Sequence, residues 1–255
     1  MSERDPWASI YRRTTAAVAA VSFSVGGVSC GSEAKPHQQS TAPAETCVYV
    51  DDGEHVTISL AELRQCLGVL AVKGRASKTG YNREKKFGTW RQKDGCDTRE
   101  AILIRDLTNE VVNPDTCKVI SGTFDDMYTP EDENAYVTGK AISAIEIDHV
   151  VALSDAWQSG AGTPNYPQEE RIKLANDPLN LQATSETNND KKSDNDASGW
   201  LPPSEEQWCS YVTRQVLVKQ RYKLWLKPAE HTRIEKVLDE NCRKDQMITV
   251  PEAAR

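Results

Sequence analysis

Histidine is scarce in this chain of 255 residues, and its cysteines are widely spaced. There are four histidines (His37, His55, His149 and His231) and seven cysteines, and no two cysteines form a Cys-x-x-Cys pair. Structural zinc sites usually draw their ligands from such closely spaced pairs. The sequence therefore argues against a structural zinc site.

An overall positive charge is also missing. The formal net charge is -7 and the pI is about 5.3, which excludes a protein that coats nucleic acid through its total charge. A local cluster would have to make any such contact, and residues 69–105 contain one. Ten cationic residues against four acidic ones leave this segment with a local charge of +6.

Three aromatic residues, Tyr81, Phe87 and Trp90, are interleaved with these cations. The pattern favours a surface that follows a phosphate backbone, with rings that stack on bases or merely pack. A solvated charged face with no ligand is the alternative interpretation.

No apolar run is long enough for a comfortable membrane span. The run from Ala16 to Val28 follows Arg12 and Arg13, which is typical of an export signal. We therefore predict that residues 1–29 are an export signal.

The residues after this signal are polar. Residues 31–46 contain two prolines and no periodic apolar face, so residues 30–46 are predicted to form a flexible tether. Cys30 is a candidate for lipid modification, with simple cleavage of the signal as the alternative. A lipid at Cys30 is the one membrane attachment that the sequence predicts.

The six other cysteines predict disulfide bonds. An even number in an exported chain is compatible with three bridges formed in an oxidising compartment. The sequence alone leaves their connectivity open. Pairing of sequence neighbours favours Cys47 with Cys66, Cys96 with Cys117, and Cys209 with Cys242.

Periodicity and capping residues predict the secondary structure. Ser59 and Glu62 form a capping-box pattern ahead of leucines at helical spacing, so a helix is predicted between Val56 and Leu70. Short strands are predicted over 101–105, 111–112, 118–121, 142–147 and 179–181, and helices over 150–157 and 169–176.

Two further helices are predicted near the C-terminal end. Ser204 would cap a helix that extends to about Leu226, and Pro228 suits the start of the next one. The face of the first helix that carries Arg214 and Lys219 is predicted to be exposed and to offer cations to phosphate. Both helices are expected to serve mainly as scaffold.

The stretch Glu146-Ile147-Asp148-His149 places a carboxylate beside an imidazole at the end of an apolar segment. Oxygens of Asp148 and of Asn189, in a later polar run, would hold one hard divalent cation and leave positions for water and phosphate. The neutral oxygen of Asn189 favours magnesium or manganese over zinc. His149 would take a proton from water near neutral pH.

Several alternatives stay open at this site. Asn188 and Asp190 compete with Asn189 as the ligand, and the Asp148-His149 pair could be a buried pair that only shapes the core. Lys191 or Lys192 would contact phosphate, or would be plain surface charge.

The ordered set Asp148-His149, Asn180 and Asn189-x-x-Lys-Ser-Asp resembles the HNH (ββα-metal) nucleases. The strings IDHVVALSDAW, ANDPLNL and WLPP, with GCDTR and RDL upstream, are similar to a narrower group. That group consists of secreted bacterial HNH endonucleases that share a domain with the C-terminal part of GmrSD-type restriction endonucleases. The likeness extends over roughly residues 70 to 242.

The resemblance implies roles for further residues. Asn180 would orient His149 by hydrogen bonding across the loop, and the products would carry 5′-phosphate and 3′-hydroxyl ends. Arg99, in the GCDTR string, is a candidate phosphate clamp because a guanidinium grips two oxygens at once. A structural pairing of Arg99 with Asp97 or Asp106 is the alternative.

The sequence thus predicts an α+β fold with a ββα-metal (HNH) core, added helices and short strands, and disulfide staples. Residues 47–255 would form a single nuclease domain, with its core at 142–203 and C-terminal helices at 204–242. The predicted function is that of an exported, metal-dependent endonuclease that hydrolyses DNA, or RNA, with low sequence specificity and no obligate protein partner.

Two other functions are alternatives. One is a non-catalytic, disulfide-stapled binding protein of the cell envelope on the same scaffold. The other is a glycosidase, for which Glu146 and Asp148 would be the paired carboxylates.

Overall fold

The structure, a computed structural model, describes residues 47–93, 95–129 and 135–252. The predicted export signal, the tether and Cys30 lie outside these ranges. The helices are α1 (Leu60–Val69), α2 (Arg83–Phe87), α3 (Thr98–Asp106), α4 (Lys140–Ala144), α5 (Leu153–Ala156), α6 (Gln168–Asn176), α7 (Glu186–Lys192), α8 (Trp208–Arg221) and α9 (Pro228–Glu240). The strands are β1 (Val50–Asp51), β2 (His55–Ser59), β3 (Gln92–Lys93), β4 (Cys96–Asp97), β5 (Leu107–Val112), β6 (Val119–Phe124), β7 (Ala135–Thr138), β8 (Ile145–His149), β9 (Leu181–Ser185) and β10 (Met247–Pro251).

Helix α1 begins where the capping pattern predicts. The hydroxyl of Ser59 accepts from the backbone nitrogen of Glu62 at 3.2 Å, and the Glu62 carboxylate accepts from the backbone nitrogen of Ser59 at 3.0 Å. These reciprocal bonds satisfy amide groups that a helix start leaves without partners. The helices predicted at 169–176 and after Pro228 are confirmed as α6 and α9.

The described strands pair in the orders β1-β2-β10, β3-β4, β5-β6-β7 and β8-β9. Strands β8 and β9 are antiparallel, with Ile145 opposite Ser185 and His149 opposite Leu181. Helix α7 follows β9 directly and packs against both strands. The fold is a mixture of helix and sheet, as predicted. Within the described ranges, no helix has both the length and the apolar character to cross a membrane.

Two apolar clusters hold these elements together. The larger one surrounds α8, which packs against α1, α9 and β10. The smaller one joins α3, β5 and β6 to one face of β8 and β9, where Ile145, Ile147 and Leu181 meet Ile102 and Leu103. Side chains alternate along a strand, so Glu146 and Asp148 face away from this cluster.

The three predicted disulfides are confirmed. They join Cys47 to Cys66, Cys96 to Cys117 and Cys209 to Cys242. Cys209 lies in α8 and Cys242 just beyond α9, so the third bridge links two helices of the larger cluster.

The strand predicted over residues 101–105 is wrong, because these residues are the middle of α3. The carboxylate of Asp97 caps that helix by accepting from the backbone nitrogen of Glu100 at 2.9 Å. Ile102 and Leu103 are both fully buried against the smaller cluster. A run of aliphatic residues fits a strand or a helix equally well, and here the cap and the packing decide for helix.

Three predicted boundaries near the site are also wrong. The strand expected over 142–147 is divided between α4 and β8. Residues 178–180 form a 3-10 turn, and the second strand begins only at Leu181. The helix expected over 150–157 begins at Leu153 and continues into a π-helical turn, Trp157–Ala161.

The exposed cationic face predicted for α8 does not exist. Arg214 and Lys219 are both fully buried, and the Lys219 ammonium group pairs with Asp155 at 2.9 Å and with Glu230 at 2.5 Å. The helix ends at Arg221, and Ser204 precedes a short 3-10 turn without capping it. Helix α8 is enclosed by other elements, so its polar side chains bond internally.

Candidate active site

One pocket brings Asp148 and His149 of β8 together with Asn189 of α7. Its volume is about 140 Å³, and its polar lining includes Arg83, Asp148, His149, Ser154, Asn189 and Asp194. Strand β9 pairs antiparallel with β8 and leads directly into α7, which brings Asn189 next to the Asp148-His149 pair. A larger open groove of about 480 Å³ at the start of α9 has neither a carboxylate nor an imidazole in its lining.

The imidazole of His149 is held on two sides. Its Nε2 lies 3.0 Å from the carbonyl oxygen of Ala175, and its ring stacks on Trp90 with centroids 5.6 Å apart and planes 11° from parallel. A carbonyl oxygen can only accept, so Nε2 carries the hydrogen. In the neutral ring, Nδ1 is then the nitrogen that can take a proton.

Burial keeps this imidazole neutral. His149 is 6% exposed, and the loss of hydration lowers its pKa from 6.5 to about 4, with the positive charge of Arg83 as the next cause. A base must be unprotonated to act, so the ring is in its competent form at neutral pH.

Asn180 binds the backbone that follows His149 rather than its ring. The side-chain oxygen accepts from the nitrogen of Val151 at 2.7 Å, and the backbone oxygen accepts from the nitrogen of Val150 at 2.8 Å. The amide group donates to the carbonyls of Val151 at 3.3 Å and Leu174 at 3.2 Å. These bonds run across the loop that follows His149, as the resemblance implies for Asn180, while the ring itself is held by Ala175.

The buried carboxylate of Asp148 accepts two hydrogen bonds. The hydroxyl of Tyr128 donates to Oδ2 at 2.8 Å, and the ammonium group of Lys192 donates to Oδ1 at 2.8 Å. Lys192 also donates to the backbone oxygen of His149 at 2.7 Å. Burial, followed by the charge of Asp148, raises the pKa of Tyr128 well above its usual range, which keeps the phenol a donor.

Lys192 therefore does not fit the phosphate contact that the sequence suggests. Its side chain is fully buried, and its ammonium group is directed at Asp148 and His149 instead of solvent. The prediction of a phosphate contact by Lys192 is wrong in this structure.

Asp148 and Asn189, the pair predicted to bind a hard divalent cation, line the same pocket. The amide nitrogen of Asn189 donates to Oε2 of Glu146 at 2.5 Å, so the side-chain oxygen is the ligand atom that Asn189 can offer. A carboxylate and a carboxamide oxygen that line one pocket are the ligand types that suit magnesium or manganese. Asn188 is less suitable, because it is buried and its amide donates to Asp126 at 2.9 Å.

Arg99 and Lys191 lie outside the pocket lining. The guanidinium of Arg99 donates to the carbonyls of Ile142 at 3.2 Å and Ile145 at 2.8 Å, and pairs with Glu100 at 3.1 Å. Arg99 thus holds the entry to β8, as the structural alternative proposes, but with other partners than Asp97 or Asp106. Lys191 is exposed on α7, and its contact with phosphate stays a prediction.

Four contributors to the site escape sequence reasoning. Tyr128 and the carbonyl of Ala175 reach it through tertiary contacts that leave no local pattern. In the sequence, Arg83 and Trp90 are recognisable only as members of the cation-rich segment 69–105. The local pattern beside Arg83 is structural, since the preceding Asn82 caps α2 by accepting from the nitrogen of Lys85 at 2.8 Å and so marks the start of a helix.

Comparison with known proteins identifies the family. Residues 97–237 match the C-terminal domain of GmrSD restriction endonucleases. The matched segment contains Asp148, His149 and Asn189, and it leaves out Arg83. The chain belongs to this family of GmrSD C-terminal domains.

A relative from the fungus Arthroderma benhamiae is named an uncharacterized secreted protein. It is 35% identical over 184 residues, which cover 71% of this chain and 85% of the relative. Its fungal origin does not support the restriction to bacteria that the resemblance implies. No solved structure matches the chain significantly.

Proposed function

We propose that this protein is an exported, metal-dependent endonuclease that hydrolyses phosphodiester bonds of DNA at an HNH-type centre. The proposal rests on one pocket in which a neutral imidazole, a carboxylate, a carboxamide and a guanidinium meet. Strands β8 and β9 with helix α7 would be the ββα unit of that centre. Membership of the GmrSD C-terminal domain family supports nuclease chemistry.

Each of the four side chains would help to overcome one of two barriers to hydrolysis of a phosphodiester. A phosphodiester resists hydrolysis because its charge repels the nucleophile and because an alkoxide is a poor leaving group. His149 would take a proton from the attacking water at Nδ1, and Arg83 would bind the phosphate oxygens. Asp148 and Asn189 would hold the cation, which supplies charge neutralisation at the phosphate and at the departing 3′-oxygen.

The size of the pocket favours contact with the sugar-phosphate backbone. Its volume of about 140 Å³ is below the range of roughly 300 Å³ and more that is usual for sites that enclose a drug-sized ligand. Contacts to phosphate and sugar carry no sequence information directly. We therefore expect little sequence preference, and RNA is the alternative substrate.

Export is the second part of the proposal. Three disulfides are present, and such bonds persist in oxidising compartments. The fungal relative is named a secreted protein. Mass spectrometry of the protein recovered outside the cytoplasm should find an N terminus at or after residue 30, with a lipid on Cys30 or without one. An intact residue 1 would contradict the export signal.

The nuclease is tested by digestion of plasmid DNA, linear DNA and RNA with oxidised protein that lacks residues 1–30. Magnesium, manganese and EDTA are compared, beside His149→Ala and the control His231→Ala, whose imidazole pairs with Glu235 on α9. We expect cleavage that requires the metal and His149 and leaves 5′-phosphate ends. Absence of cleavage on every substrate with either metal would overturn the nuclease and favour the non-catalytic binding protein.

A further inference from the structure

The turn before β9 is held by arginines from two different helices, of which Arg214 is buried and Arg105 partly buried. Arg214 of α8 donates to the carbonyls of Leu179 at 2.8 Å and Leu181 at 2.6 Å. Arg105 of α3 donates to the carbonyls of Pro178 at 2.7 Å and Leu181 at 2.6 Å. Both guanidinium groups therefore meet at the oxygen of Leu181, and the 178–181 turn lies between them.

Arg214 is a charged side chain whose direct hydrogen-bond partners in the described part of the chain are all uncharged. It is fully buried, and burial lowers its pKa to about 10. Among the described residues its hydrogen-bond acceptors are carbonyl and amide oxygens and a methionine sulfur, without a carboxylate, and they include Oε1 of Gln182 at 2.7 Å. The charges of Asp106 and Asp148 act on Arg214 only without a direct hydrogen bond, and burying a charge whose direct partners are neutral costs free energy that an apolar side chain of similar size avoids. What these bonds supply is a fixed geometry for the 178–181 turn.

The turn at residues 178–181 contains Asn180. Asn180 in turn is hydrogen-bonded to the loop that follows His149. Both amide nitrogens that follow His149, those of Val150 and Val151, donate to Asn180 at 2.8 Å and 2.7 Å. The residue next to Arg214 acts on the same loop, since Gln215 donates to the carbonyl of Val150 at 3.1 Å. Helix α8 thus holds the turn and the loop with two consecutive side chains.

We propose that Arg214, supported by Arg105, is a positioning residue that sets the orientation of His149 through the 178–181 turn and Asn180. This inference rests on the proposed function. A planar guanidinium offers several donors in a fixed fork and can serve all these oxygens at once, which a lysine cannot. A catalytic group displaced by about 1 Å can lose on the order of a hundredfold in rate.

The test compares Arg214→Lys with Arg171→Lys. Arg171 is also buried and also donates to a carbonyl, that of Ala161 at 2.7 Å, but it does not touch the 178–181 turn. Amide hydrogen exchange is measured at Val150 and Val151, below the temperature at which either variant unfolds. We expect exchange at these two amides to be about tenfold faster or more in Arg214→Lys and unchanged in Arg171→Lys.

Turnover is the second readout. If the wild-type protein cleaves DNA, Arg214→Lys should lower kcat about a hundredfold. It should change KM by less than about threefold, because the substrate contacts remain. Unchanged exchange at Val150 and Val151, or unchanged kcat in an active enzyme, would overturn the inference. The exchange experiment tests the positioning role of Arg214 even if the wild type cleaves nothing. Failure of this inference can therefore be distinguished from failure of the proposed nuclease function. Arg105→Lys is the second variant if Arg214→Lys does not fold, and it must accelerate the same two amides.

Discussion

Nε2 of His149 lies 3.0 Å from the carbonyl oxygen of Ala175. This contact decides which imidazole nitrogen carries the hydrogen, because the carbonyl can only accept. It also fixes the orientation of the ring, whereas burial keeps the ring neutral, since the bond to Ala175 by itself raises the pKa of His149. The tautomer, the burial and the stacking on Trp90 together leave Nδ1 as the nitrogen that can accept a proton.

The metal-free protein should lose stability in acid because of His149. The pKa of His149 is about 4 in the folded chain, below its usual value of 6.5, so between these values the unfolded state binds the proton and the folded state does not. The contribution is intact above pH 6.5 and is lost as the pH falls towards 4, by on the order of 3 kcal/mol. Urea unfolding in EDTA at pH 7.5 and 4.5 measures it, with His149→Gln as the reference that cannot titrate. Parallel losses in the two proteins would contradict the low pKa.

Arg83→Gln should weaken catalysis through substrate binding. A hydrogen bond to a charged group is worth about 1.5–3 kcal/mol, so kcat/KM should fall about tenfold to a hundredfold. The same change should raise the pKa of His149 in the metal-free protein, because a nearby positive charge is removed. Kinetics and imidazole NMR titration measure the two effects. Arg64→Gln is the control, since Arg64 lies on α1 and pairs with Asp239. An equal loss in both variants would argue against a phosphate contact at Arg83.

Lys192→Met should make the protein more dependent on its cation. The ammonium of Lys192 neutralises Asp148 at 2.8 Å, and removal of one partner from a buried ion pair costs about 3–5 kcal/mol. A divalent cation at Asp148 would replace the lost charge, so manganese should raise the melting temperature of Lys192→Met by more than that of the wild type. Differential scanning calorimetry with manganese and with EDTA measures this.

Lys191→Met is the matched control for that experiment. Lys191 is the exposed neighbour on the same helix, so its loss should leave the melting temperature and its response to manganese unchanged. A manganese effect of equal size in wild type and Lys192→Met would contradict a cation at Asp148.

Loss of the Cys209–Cys242 bridge should destabilise the fold without altering the site. The two cysteines are 33 residues apart in sequence, and the closed loop of this length is worth about 3–4 kcal/mol through the unfolded state. The double variant with alanine at both positions should unfold at lower urea, yet bind manganese with the affinity of the wild type. Unchanged unfolding of the double variant would show that the bridge does not support α8 and α9.

Local sequence determined a large part of this protein. The capping box at Ser59 and Glu62 sets the start of α1, because both partners lie within one helical turn. The cysteines pair with sequence neighbours, since each bridge closes a short stretch of chain. The order of Asp148, His149 and Asn189 indicated the pocket, because a strand, its antiparallel partner and the following helix bring these residues together.

Tertiary structure alone decided the roles of the polar residues that are buried. Lys192 and Arg214 are residue types that usually lie on protein surfaces. Only the elements packed around them show that Lys192 donates to Asp148 and that Arg214 donates to the 178–181 turn. Asn180 meets the loop after His149, and Ala175 meets its ring, through contacts between segments more than twenty residues apart. The physical reason is common to all of them. A local pattern records which face of an element is apolar, whereas a buried donor is satisfied by whichever oxygen the rest of the fold brings within reach.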